Sequence, residues 1–138
     1  NTKTILGLII EKSNSILFYE DNKTNELFLP SIGSQGEPSN TSNLIKKFSG
    51  LGFKVKLDFV YSVYEDKNLN AVCIYYRCKD NAKPPKAYRY IKFEDIEWKK
   101  IKDKALIIML KRYIEEANHG NFAIYMGDEK SGLTQALK

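Results

Sequence analysis

The most informative stretch, residues 27–53, reads LFLPSIGSQGEPSNTSNLIKKFSGLGF. An apolar run is followed by a loop over 31–40, which is rich in Gly, Ser and Pro. The apolar residues within 44–48 then recur at the spacing of an α-helix, and polar residues just before them can cap its first turn. Gly50 and Gly52 are suited to end the helix in left-handed conformations. The stretch therefore predicts a strand, a loop and a helix in succession.

This pattern resembles the signature of the Nudix hydrolases, G-x5-E-x7-R-E-U-x-E-E-x-G-U, where U is apolar. Glu37, Gly52 and Phe53 match it at the correct spacing. In that family the helix of the signature presents carboxylates to Mg2+ ions, which bind the pyrophosphate group and activate water. The resemblance implies the Nudix fold, and it implies pyrophosphate hydrolysis only if the carboxylates are present.

The carboxylates of the signature helix are missing. Without gaps, its Arg-Glu pair falls on Ile45 and Lys46, and a shift of one residue moves it to Lys46 and Lys47. No register restores the acids, because residues 38–56 contain neither Asp nor Glu. Mg2+ requires oxygen ligands, and a protonated lysine has no lone pair to offer. The sequence thus predicts a helix that attracts anions and repels Mg2+.

The remaining patterns predict an α/β fold, namely a Nudix-like α/β/α sandwich with a mixed β-sheet between two main helices. In residues 53–64, Val, Leu, Phe, Tyr and Val alternate with more polar neighbours, as in a strand with one apolar face. Residues 71–78 are almost wholly apolar or aromatic, which is typical of a central strand. Further strands are predicted at 4–10, 15–20, 26–29, 88–93 and 122–125, and a second helix at 103–117.

Length and composition predict one domain over residues 1–138, in which 118–138 form a C-terminal extension with no counterpart in the family pattern. No apolar run approaches the ~18 residues that span a bilayer, and no signal peptide is recognised at the start, so a cytoplasmic location is expected. Cys73 and Cys78 are five positions apart in one strand, so they should lie on opposite faces as free thiols. A net charge of +5 permits phosphate-rich partners, although a solvated lysine surface is the simpler explanation of the excess.

The candidate ligand-binding residues are basic and aromatic. Lysines on the signature helix place positive charge where the family uses metal, and two arginines flank tyrosines that can stack on a base. Ordinary solvated or half-buried surface is the simpler explanation of each. The residues in question are Lys46, Lys47, Arg77, Arg89, Tyr75 and Tyr88.

Catalytic candidates are weak, and neither a metal site nor a cofactor is predicted. Glu37 is the only acid retained at a signature position, and His119 is the only histidine. Trp98 is most simply an anchor for the second helix. Substitute acids could come only from three doublets, which are more typical of solvated turns: Glu65-Asp66, Glu94-Asp95 and Asp128-Glu129.

Three hypotheses follow. The first is a Nudix-fold domain that lacks Mg2+-dependent hydrolysis and binds a nucleotide, another phosphate-containing ligand or a protein partner. The second is a hydrolase of nucleoside diphosphate derivatives with a rearranged active site. The third is an interaction or oligomerisation module, including a homodimer, formed by exposed tyrosines and the segment after Gly120. A membrane partner is not expected, and a nucleic acid partner is disfavoured because lysine far outnumbers arginine.

Overall fold

The computed structural model describes residues 3–34, 41–80, 84–123, 125–128 and 132–135. Nine strands, two α-helices and two short 3-10 helices (Phe93–Asp95 and Trp98–Lys100) lie within these ranges. The helices are α1 (Thr41–Gly50) and α2 (Lys104–His119). The strands are β1 (Lys3–Lys12), β2 (Ser15–Glu20), β3 (Leu27–Phe28), β4 (Ser31–Ser34), β5 (Val55–Asp66), β6 (Ala71–Asp80), β7 (Tyr88–Lys92), β8 (Tyr125–Asp128) and β9 (Gly132–Gln135).

All of these strands belong to one mixed sheet. The order across it is β3-β2-β1-β6-β5-β8-β9, with β4 beside β1 and β7 beside β2. The central strand β6 is parallel to β1 and antiparallel to β5, and β8 lies parallel to β5. The predicted mixed sheet is confirmed, and part of the predicted C-terminal extension contributes two strands to its edge.

The two helices cover opposite faces of the sheet. Leu44 and Phe48 of α1 pack in one apolar cluster with alternate residues of β1, whereas the buried face of α2 packs in the other cluster. Cys73 lies in the α2 cluster and Cys78 in the α1 cluster, both buried and free, as the sequence predicts. The observed layers are therefore helix, sheet and helix.

Strand β5 departs from the regular alternation that its sequence predicts. Its pairing with β6 shifts register between Leu57 and Phe59 and again between Val60 and Ser62. A bulge adds one residue and reverses the faces of the residues beyond it. Leu57 therefore packs on the α1 side, while Phe59 and then Tyr64 pack on the α2 side.

Helix α2 begins and ends at residues suited to the purpose. The Asp103 carboxylate caps its first turn by accepting hydrogen bonds from the Ala105 and Leu106 amides at 3.0 and 3.4 Å. Gly120 closes the helix in the left-handed region, with φ of 69°. An Asp N-cap and a Gly C-cap satisfy backbone groups that the helix itself leaves unpaired.

Three local predictions are wrong. Ser31–Ser34 is strand β4, paired with β1, rather than part of a loop. The last predicted strand is found further along, at Tyr125–Asp128. Gly50 remains helical, and only Gly52, with φ of 98°, takes the left-handed conformation.

Candidate functional site

A cleft of about 590 Å³ lies on the α2 side of the sheet. Its walls come from the chain around β3, the turn between β5 and β6, and the first turn of α2. Small-molecule sites in proteins commonly have volumes of roughly 300–1,000 Å³. Most lining side chains are apolar, and they include Ile5, Leu27, Phe28, Leu29, Leu69, Ile101 and Leu106.

Two carboxyl groups meet in this cleft. Asp66, at the end of β5, is only 4% exposed and accepts a hydrogen bond from the Leu69 amide at 3.2 Å. Asp103 caps α2 and also lines the cleft, where its carboxyl group lies close to that of Asp66. Burial, and secondly the charge of Asp66, raises the pKa of Asp103 above its ordinary value. Asp103 therefore retains its proton to a higher pH than an exposed aspartate would.

Two tyrosines accompany the carboxyl pair. The rings of Tyr64 and Tyr75 are stacked, with centroids 6.0 Å apart, and Tyr75 lines the cleft. The Tyr64 hydroxyl is buried close to Tyr75 and Asp103, and no described group makes a hydrogen bond of good geometry with it. Burial raises the pKa of both phenols, so the tyrosines are neutral throughout the physiological range.

The Tyr75 ring reaches the cleft by crossing the backbone of Gly7. A Cβ atom placed on Gly7 would lie 2.3 Å from Cε1 of Tyr75, which is closer than two non-bonded carbon atoms can approach. The residues are direct partners in the parallel pairing of β1 and β6. Glycine at position 7 is therefore required for this position of the ring.

The predicted lysines lie elsewhere. Lys46 and Lys47 are exposed on α1, on the other side of the sheet, and neither lines the α2 cleft. Glu37 lies outside the described residues. The ten residues of α1, TSNLIKKFSG, include no carboxylate, so the side chains of this helix do not fit a Mg2+ ion.

The structure uses Arg77 to join the sheet to α2. Its guanidinium donates a hydrogen bond to the Tyr113 hydroxyl at 3.2 Å and pairs with Asp58. The Tyr113 hydroxyl in turn donates to Glu11 at 2.5 Å, and the Phe122 ring lies 5.3 Å from the guanidinium carbon. Arg77 thus has protein partners for its charge.

The predicted base-stacking set is divided between two faces. Tyr75 and Arg77 face α2, whereas Tyr88 packs on the α1 side against Phe53, with ring centroids 5.0 Å apart. Arg89 is exposed and donates to Glu20 at 2.6 Å; this bond, with a second one from Lys100, lowers the pKa of Glu20. The structure does not bring the arginines and tyrosines together as one site.

The acidic doublets that the structure describes lie in different environments. Glu94 and Asp95 are exposed, whereas Asp66 is buried in the cleft, contrary to the expectation of a solvated turn. In the part of the chain that the structure describes, no group of His, Cys, Asp and Glu is arranged to hold a metal. The Asp66–Asp103 pair was missed because the two residues are remote in sequence. The only local signal was the suitability of Asp103 as a helix cap.

Comparison with solved structures assigns the fold class. The chain superposes on a NUDIX hydrolase from Nitrosomonas europaea with a TM-score of 0.77 and 24% identity, covering 93% of this chain and 78% of that one. It also superposes, with a TM-score of 0.68 and 23% identity, on a protein of Sinorhizobium meliloti 1021 provisionally called an oxidoreductase. That match covers 84% of this chain and 40% of the other. The chain therefore has the Nudix-like fold, as predicted.

The curated relatives that match in sequence are named as reductases rather than as hydrolases. The chain is 31% identical over 134 residues to a protein named "Probable flavin reductase" from Rhizobium meliloti (strain 1021). It is 26% identical over 137 residues to the reductase component of a flavin-dependent trigonelline monooxygenase from Acinetobacter baylyi (strain ATCC 33305 / BD413 / ADP1). These matches cover 96% and 98% of this chain, but only 42% and 43% of the relatives. No family model matches the chain.

The described helices are also informative about membranes. Neither α1 nor α2 combines the length and the apolar character that a membrane crossing requires.

Proposed function

We propose that this chain is a ligand-binding domain of the Nudix-like fold, without Mg2+-dependent hydrolysis, that works together with a flavin reductase. The observation that carries the proposal is the character of α1. Its exposed side presents Asn43, Lys46, Lys47 and Ser49 in place of carboxylates. Lysine cannot anchor Mg2+, so a pyrophosphate group would lack the metal that polarises it and activates water.

The relatives support the connection with flavin reduction. Both curated relatives are named as reductases that use flavin, and this chain spans less than half of each. The solved protein provisionally called an oxidoreductase is likewise more than twice as long as the region that superposes. We infer that this fold accompanies a reductase and contributes binding rather than the redox step.

The ligand is a small molecule, and the α2 cleft is its proposed site. Nucleotides and other phosphate-containing compounds are the alternative ligands, and their site would be the α1 surface on the other side of the sheet, where exposed lysines could attract phosphate. A protein partner, including the reductase itself, is the other candidate for the α1 surface. Ile45 and Leu51, which are 40% and 54% exposed, give that surface an apolar component.

Hydrolysis is the first property to test. The chain is incubated with ADP-ribose, NAD, nucleoside triphosphates and nucleotide sugars in the presence of Mg2+ or Mn2+, and products are separated by chromatography. We expect no turnover. Turnover that disappears on addition of a chelator would contradict the proposal and favour a hydrolase with a rearranged site.

The link to a reductase is tested by exchange. In the Rhizobium meliloti protein, the segment matched by this chain is replaced by the present sequence, and flavin reduction is followed by oxidation of a reduced nicotinamide nucleotide. We expect the chimaera to remain folded and active. The control is the Rhizobium meliloti protein from which the segment has been deleted. A folded but inactive chimaera, beside an active deletion protein, would argue against a common role.

A further inference from the structure

The charge inside the α2 cleft identifies a ligand class. Asp66 and Asp103 lie side by side at the cleft, and Glu26 contributes a third carboxylate to its lining. In the described ion pairs, neither aspartate has a basic partner. A buried carboxylate is stabilised by a cation or by hydrogen-bond donors. The interior is therefore suited to a positive or N–H-bearing group rather than to a phosphate.

The shape and polarity of the walls select the rest of the ligand. Apolar side chains form most of the lining, and Phe28 and Leu69 remain 38% and 46% exposed, unusually high values for large apolar residues. The Tyr75 ring adds an aromatic surface. A flat apolar molecule that binds in such a cleft gains free energy of roughly 25 cal/mol per Å² of apolar surface removed from water.

A buried hydroxyl lies near Asp103, beside the cleft. Tyr64 is 1% exposed, and its hydroxyl lies close to Tyr75 and Asp103 without a hydrogen-bond partner among the described residues. Unpartnered buried hydroxyls are costly and therefore uncommon. Tyr64 does not itself line the cleft, but its hydroxyl adds an unsatisfied polar group next to Tyr75 and Asp103, which do.

We propose that the α2 cleft binds a small aromatic molecule through a cationic or N–H-bearing nitrogen held by Asp66 and Asp103. This inference rests on the proposed binding function and names its ligand class. Lys102 and Lys104 are exposed in the lining, and neither forms an ion pair with Asp66 or Asp103 among the described contacts. The site thus differs from the phosphate-binding site that the lysines of α1 would provide.

Three probes of similar shape test the charge preference. Benzylamine is cationic, benzyl alcohol neutral and benzoate anionic at pH 7. Each is titrated into the isotope-labelled chain, and the backbone amide resonances of Leu69, Tyr75 and Leu106 are followed by NMR. We expect benzylamine to bind at least about tenfold more tightly than benzoate, which corresponds to about 1.4 kcal/mol. Equal affinities, a preference for benzoate, or no binding by any probe would overturn the proposal.

Isosteric variants test whether Asp66 and Asp103 cause the preference for the cationic probe. Asp66→Asn and Asp103→Asn preserve shape and, at position 103, a good helix cap, while each removes one carboxylate. We expect the double variant to bind benzylamine and benzyl alcohol equally, whereas Asp95→Asn, which removes an exposed carboxylate outside the cleft, retains the preference. An unchanged preference in the double variant would exclude the carboxyl pair as its origin.

The proposed function and the inferred ligand class are refuted by different results. Metal-dependent turnover of a nucleotide would refute the proposed function, whatever the probes show. Nucleotide binding that disappears in Lys46→Ala/Lys47→Ala, with no charge preference at the α2 cleft, would preserve the proposed function and overturn the inference about the ligand.

Discussion

At the scale of single residues, the α2 cleft depends on Gly7 and Asp103. Gly7 leaves space for the Tyr75 ring, and Asp103 both caps α2 and places its carboxyl group near Asp66. The second helix is predicted to begin at Asp103, and capping by an aspartate at such a position is a local property. The sequence gives no indication of the contact between Gly7 and Tyr75, because that contact depends on the pairing of β1 with β6.

Gly7→Ala should destabilise the chain and displace Tyr75. The added Cβ atom would overlap Cδ1 and Cε1 of the buried Tyr75 ring, and overpacking of this kind costs about 1–3 kcal/mol. Urea unfolding measures the loss. Gly33→Ala is the matched control, because a Cβ there meets nothing within 4 Å. Equal effects of the two substitutions would contradict the argument.

Asp103 should make stability depend on pH. Because the pKa of Asp103 is raised by folding, the folded chain holds this proton to a higher pH than the unfolded chain does. Stability therefore falls as pH rises from the unfolded pKa, near ~3.9, through the raised folded value, and is level above it. Asp103→Asn keeps a capping side chain but has no carboxyl group to titrate. As pH rises from the unfolded to the folded pKa of Asp103, the variant should therefore gain stability relative to the wild type.

The comparison of Asp103→Asn with Asp103→Ala separates charge from capping. Alanine cannot cap, so it should cost about 1 kcal/mol relative to asparagine at every pH. Melting temperatures between pH 4 and pH 8 provide the data. A constant difference between wild type and Asp103→Asn over this range would contradict the raised pKa.

At the scale of elements, the sequence predicts the two helices well and the pairing of the strands less well. Helical periodicity and caps are local, so α1 and α2 are found within a few residues of their predicted positions. The two register shifts in β5 were not predicted, because a bulge depends on the neighbouring strand. The first shift turns Phe59 and Tyr61 to the α2 side, and the second keeps Tyr64 on that side as well, opposite Cys73.

Arg77→Met should weaken the attachment of α2 to the sheet. Arg77 is 21% exposed and bonds with Tyr113 and Asp58, so its loss leaves half-buried polar groups without partners. We expect a loss of about 1–3 kcal/mol in urea unfolding. Arg89→Met is the control. Its guanidinium is 58% exposed, and exposed pairs contribute about 0–1 kcal/mol. Equal losses would show that Arg77 has no special structural role.

At the scale of the whole molecule, the sheet separates two apolar cores, and β6 contributes a cysteine to each. Cys73 is buried on the α2 side and Cys78 on the α1 side. Burial raises the pKa of Cys78 to about 12, so little reactive thiolate forms at neutral pH. The cysteines therefore report separately on the opening of the two faces.

We expect neither thiol to react with a thiol reagent at pH 8 in the native chain. As urea is added, Cys73 and Cys78 should become reactive over the same concentration range, because both cores share the central strand. Cys73→Ser and Cys78→Ser variants assign the two signals in mass spectra. Reaction of one cysteine well before the other would show that the two faces unfold independently.

The sequence by itself determined the fold class, the approximate helices, the opposite faces of the two cysteines and the absence of carboxylates from α1. Periodicity, caps and residue identity are local properties, so they can be read along the chain. Only the tertiary structure decided that Asp66 meets Asp103, that Tyr75 crosses Gly7, and that the predicted arginines and tyrosines do not form one site. These contacts join residues remote in sequence, and the strand register and the two bulges bring them together or keep them apart.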